Sequence, residues 1–60
     1  MATIEVSVTK HLGMFPVKFS RLQEVMSEFA KLAPAEAGVT FRDGVLVGSV
    51  DVIVLWTEKR

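Results

Sequence analysis

The chain opens on a strict alternation. Ile4, Val6 and Val8 fall on one side of an extended backbone, and Thr3, Glu5, Ser7 and Thr9 fall on the other. Branched residues at period two predict a half-buried strand over 3–9. Lys10-His11-Leu12-Gly13 follows, and its glycine can take a positive φ, so a turn is expected there. A second strand is expected over 14–19, with Phe15, Val17 and Phe19 sharing a face. Pro16 cannot donate to a strand ladder, which places that strand at a sheet edge.

The apolar period then lengthens to that of a helix. Leu22, Val25, Met26, Phe29 and Leu32 make one stripe, with Arg21, Glu24, Ser27, Glu28 and Lys31 on the wet side. Ser20-Arg21-Leu22-Gln23 has the form of a capping box, in which each end residue serves the other's backbone amide. Pro34 stops the helix near Ala33, and the stretch from Pro34 to Gly38 reads as one further short turn.

A short strand is expected over 39–42, then a two-residue hairpin turn at Asp43-Gly44, then a long strand over 45–57. Gly48-Ser49 interrupts the last of these. A bulge within one strand is favoured over a second turn, because 45–47 alone is short for a strand. Alternation puts Val50, Val52, Val54 and Trp56 under the helix, and Asp51, Ile53 and Leu55 on the far face. The opposite phase would bury Ile53 and Leu55 instead. The tail over 58–60 is expected to fray.

These elements predict a single α+β domain over 1–60 in the order ββαββ, a four-stranded mixed sheet with one helix packed on one face. A right-handed crossover would set the first and last strands side by side and parallel in its centre. This order and length resemble the small β-grasp domains, among them immunoglobulin-binding domains and the ubiquitin-like sulfur carriers. The likeness is one of layout across most of the chain. The carriers end in Gly-Gly, whereas this chain ends Thr57-Glu58-Lys59-Arg60, so carrier chemistry is not implied.

Composition narrows the function. Sixty residues give a marginal core, and the absence of cysteine removes disulfides, thiol nucleophiles and cysteine zinc sites together. Half the residues are apolar, more than so small an interior hides, which predicts an apolar surface used as an interface. Seven basic and seven acidic residues cancel and are scattered, so a nucleic-acid footprint is disfavoured. Met1-Ala2 reads as a native start with no leader, the most apolar stretch is too short to span a bilayer, and a cytoplasmic protein is expected.

Candidate chemistry is sparse. His11 is the only histidine; it lies in the expected exposed turn, without metal-ligand spacing and without an orienting carboxylate in the sequence around it. Asp51 sits inside an apolar strand and is expected to point away from the helix, with Glu5 as a neighbour across the sheet. No phosphate-binding glycine loop or nucleophile elbow is present, and no cofactor or metal is expected. Most of the aromatic residues (Phe15, Phe19, Phe29, Phe41 and Trp56) fall on the expected core face rather than on a base-stacking surface.

The expectation is therefore a small non-enzymatic adaptor or inhibitor, of the kind phages and mobile elements encode. It would act on another protein, or on itself as a homodimer, with no membrane partner. Ile53 and Leu55 on the open sheet face, Leu12 and Met14 at the first hairpin, the partly covered Trp56, and Phe41 and Arg42 on the unguarded strand are the candidate contacts. Its rivals are a nucleic-acid-binding sheet face and an enzyme assembled only at an oligomer interface, where His11 would meet a carboxylate from another subunit.

Overall fold

The alternation that begins at Thr3 does not stop at Lys10. In the computed structural model, which describes residues 2–59, it continues as one strand, β1 (Thr3–Met14), of 12 residues. The expected turn at 10–13 is a β-bulge. His11 lies opposite Asp51 and Gly13 opposite Val50, so Leu12 is the extra residue on the bulged strand. Gly13 does adopt a positive φ of 108°, but the kink it permits turns Leu12 into the core rather than reversing the chain. The second strand expected over 14–19 is absent. Residues 15–18 connect β1 to the helix and contain a cis Phe15–Pro16 peptide, and Pro16 lies in that connection, not at a sheet edge.

The helix, α1 (Phe19–Leu32), follows the apolar stripe. Val25 and Phe29 are buried, Leu22 and Met26 half-buried, and Leu32 at the last position is exposed. The capping box does not form. Lys18 is the N-cap, with extended φ and ψ, its carbonyl accepts from the Arg21 and Leu22 amides, and no side chain caps the first turn. Ser20 is already inside the helix. Ala33 closes it by donating its amide to the Phe29 carbonyl at 2.8 Å, and Pro34 to Ala37 form the short turn that the sequence led us to expect.

Two strands follow, β2 (Gly38–Asp43) and β3 (Ser49–Lys59). They are joined by a loop over 44–48 rather than by a two-residue turn at Asp43-Gly44. Gly48, not Gly44, takes the positive φ, 83°. Gly44 is required for space: a Cβ there would lie 2.3 Å from Ser49 Oγ. Ser49 secures the loop by donating its amide and its hydroxyl to the Leu46 carbonyl at 3.0 and 2.6 Å. Gly48-Ser49 is therefore the entry into β3, and residues 45–47 are loop. Glu58 and Lys59, expected to fray, pair with Ile4 and Thr3; Met1 and Arg60 lie outside the described residues.

The sheet has three strands in the order β1-β3-β2, antiparallel at both junctions. This corrects the four-stranded, mixed, β-grasp-like ββαββ expectation. The first and last strands are neighbours as expected, but they are antiparallel, and β1 is an edge. One reversal fewer before the helix inverts the direction of every later strand relative to the first. Within the sheet, Val50, Val52 and Val54 face α1 as the alternation predicted. They form the core with Leu12, Val25 and Phe29, and Trp56 packs partly buried at its margin.

The chain is a thin slab, 42 × 21 × 12 Å, with a radius of gyration of 12.9 Å, where a compact chain of this length would have about 10 Å. Its accessible surface is 4562 Å², against about 3,900 Å² for a compact monomer of this mass. Among the described residues no helix is long and apolar enough to cross a membrane.

The first turn of α1 offers a test of the cap assignment. Lys18→Asp should stabilise the protein by about 1 kcal/mol, because it supplies a side-chain acceptor and a negative charge at the helix N-terminus, while Ser20→Ala should be nearly neutral. Thermal melts of the two variants check this; the reverse ranking would restore Ser20 as the cap.

Candidate interaction surface

Every residue of β2 is exposed. The register explains why. Val39 and Phe41 lie opposite Val54 and Val52 and so share the helix side of the sheet, but α1 lies over β1 and the β3 valines. Val39 and Phe41 are left 51% and 54% exposed. Between Val39 and the helix runs a groove of about 380 Å³, lined by Met26, Phe29, Ala30, Ala33, Val39 and Val54. The alanines on this flank of α1 keep the groove open, since a larger side chain at Ala30 or Ala33 would stand in it.

The two sheet edges differ. β1 is long, carries the bulge at Leu12, and presents Lys10 on the inward face. The Lys10 ammonium reaches across the Phe29 ring, 5.9 Å from its centroid, to pair with Glu28. That pairing holds the Glu28 carboxyl below the usual carboxylate range. Its contribution is in place above that range and is lost as pH falls through the lowered pKa. A bulge and an inward charge are devices that discourage strand addition. β2 has neither. Its charged residues, Arg42 and Asp43, are confined to one end, and it holds no proline.

The opposite face of the sheet carries rows of residues set by the same register. Thr9, Ile53 and Thr40 form one row, and Ser7, Leu55 and Gly38 the next. Ile53 is half-buried and Leu55 exposed, so this face is polar with a narrow apolar centre. A third row is His11, Asp51 and Arg42. Asp51 does point away from the helix, but it is buried at 8% exposure rather than open to water, because the 44–48 loop folds over it. Val45, Leu46, His11 and Asp51 line a hollow of about 310 Å³.

His11 thus has the orienting carboxylate that sequence inspection did not find. Its Nδ1 lies 2.7 Å from Asp51 Oδ1. The partner comes from within the chain, 40 residues away. Glu5 is not part of this group: it faces Thr57 further along β3. The Arg42 guanidinium, next in the row, has no partner among the described residues. Arg21 donates to the His11 carbonyl at 3.0 Å, which ties the first turn of α1 to the bulge.

The candidate contacts separate accordingly. Phe41 stands on the uncovered helix side of β2. Ile53, Leu55 and Arg42 share the open face. Trp56 is on the helix side, half-buried, and donates its indole N–H to Glu58 Oε1 at 3.1 Å. Leu12 is core, not surface. Met14 is exposed at the far end, against the Gly48 turn and near the nearly bare Val45 and Val47. Sequence reading missed the groove along Ala30 and Ala33, whose only signal is a run of alanines on one flank of the helix stripe. It also missed the His11–Asp51 pair, which depends on strand pairing.

The His11–Asp51 contact should be worth roughly 1–3 kcal/mol, as expected for a hydrogen bond to a charged group in a part-buried site. A double-mutant cycle with His11→Ala and Asp51→Ala in urea denaturation measures it; additivity of the two substitutions would show that the pair is not coupled. No protein-family model matches the chain, and no match was found among curated proteins or solved structures.

Proposed function

We propose that this chain is a protein–protein interaction module that works by strand addition at β2. The observation that carries this is an edge strand exposed at all of its residues, with Val39 lining an apolar groove against α1 and Phe41 exposed on the same side of the sheet. An edge strand offers a row of outward backbone donors and acceptors, which supply affinity for any extended segment, and alternate side chains of that segment enter pockets that supply selectivity. Here the row is next to the groove between α1 and β2. An extended segment with branched or aromatic residues at every second position would lay them beside Val39 and Phe41. The zero formal net charge and the lack of a clustered basic surface favour a protein segment over nucleic acid as the partner.

Titration of isotope-labelled protein with extended peptides of alternating apolar and threonine residues tests this by NMR. The expected shifts centre on Val39, Phe41, Ala30 and Ala33, and Phe41→Lys abolishes them while leaving the circular dichroism of the folded chain unchanged, since Phe41 is already exposed. Shifts centred on Ser7, Ile53 and Leu55 would move the interface to the open face. No shifts with any such peptide, and no self-association, would remove the reading.

A further inference from the structure

Resting on that reading, we infer that the extended segment received by β2 is β2 of a second copy, so that two chains form a continuous six-stranded antiparallel sheet. Three observations point to this occupant. The first is complementarity of pattern. A two-fold axis perpendicular to the sheet keeps each face intact, so only residues of the same face can lie opposite each other. With the axis at Thr40, Thr40 faces Thr40 of the second copy on the open side. Val39 faces the second copy's Phe41 on the helix side, and this happens twice by symmetry. Each Phe41 ring is then laid against Val39 at the mouth of the other chain's groove, and both helices stand on the same side of the joint sheet.

Charge is the second. In this register Arg42 faces Gly38 of the second copy, which has no side chain to obstruct it. Glu36, in the turn two positions before Gly38, lies at the end of the sheet, lining one hollow with Glu5, Leu55 and Thr57 and another with Leu32, Trp56 and Glu58. The unpartnered Arg42 is thereby brought to the end of the other chain's β2 where Glu36 stands, within reach of a long side chain. No like charges face each other across the junction.

Area is the third. The chain exposes on the order of 700 Å² more surface than a compact monomer of its mass, close to the ~800 Å² that one partner contributes to a standard interface. The uncovered side of β2 and its groove account for part of that excess in one continuous strip. The far tip at Met14, Val45 and Val47 is also exposed, but it offers no strand edge and no repeat of pattern that would pair with itself.

Because the chain has no cysteine, one introduced thiol reports the register without ambiguity. Thr40 is exposed and on the axis, and residues directly opposite in an antiparallel pair have Cα separations suited to a disulfide. Under mild oxidation the full chain carrying Thr40→Cys should convert almost completely to a disulfide-linked dimer, with unchanged circular dichroism and a higher melting temperature. Thr9→Cys on β1, also exposed, should remain largely monomeric as the control. Sedimentation equilibrium of the unmodified chain should show a dimer, weakened roughly thirty-fold or more by Phe41→Lys. Glu36→Arg should weaken it too, and Glu36→Arg with Arg42→Glu should restore it. A chain that stays monomeric to millimolar concentration overturns self-pairing; if it still binds extended peptides at β2, the strand-addition reading survives alone. Faster crosslinking of Phe41→Cys than of Thr40→Cys overturns the register, and a dimer indifferent to Phe41→Lys overturns the site.

Discussion

A single helix is about 10 Å wide, and sheet strands lie about 4.8 Å apart, so one helix covers about two strands. The chain supplies three strands and one helix. Whichever pair the helix covers, one strand must be left with a bare apolar face. Here Val25 and Phe29 pack with the β3 valines and with Leu12 of β1, and the strand left out is β2. The exposed Val39 and Phe41, the groove beside them and the slab-like shape all follow from that mismatch.

Leu12 fixes which strand is left out. The bulge turns Leu12 inward and draws the end of β1 toward the helix, and Arg21 fastens the same place by donating to the His11 carbonyl. The helix is thereby held over the β1 side. On the other face the bulge leaves His11 in line with Asp51, where the 44–48 loop covers the carboxylate. One irregular residue sets both the helix position and the His11–Asp51 pair. Among the described residues no buried side-chain nitrogen or oxygen lacks a hydrogen-bond partner, so a small core carries no uncompensated polar cost.

Protection of the two edges is unequal for the same reason. β1 acquires a bulge and an inward lysine, the Lys10 side chain lying over the Phe29 ring, whereas β2 has no bulge and is charged only at its end. In a monomer such an edge is a liability for random aggregation. A specific partner strand turns it into an interface, and the run from Gly38 to Asp43 has the alternation and the charge placement to be its own partner.

Much of the local structure was legible in the sequence. Alternation fixed the faces of β1 and β3, including Val50, Val52 and Val54 under the helix and Asp51 away from it. The stripe from Leu22 to Phe29 fixed the helix and its buried side, and Pro34 fixed its end. These are properties of periods of two and 3.6 residues, which any neighbour must satisfy. Tertiary structure decided the rest. Gly13 serves a turn and a bulge equally well, and only the burial of Leu12 against Val25 and Phe29 selects the bulge. Gly44 and Gly48 both suit a positive φ; contact with Ser49 and Asp51 constrains one and leaves the turn to the other. His11 and Asp51 stand 40 residues apart and meet only because β1 runs antiparallel to β3. The number of strands, their direction and the bareness of β2 arise from pairing between distant segments, which local periodicity does not encode.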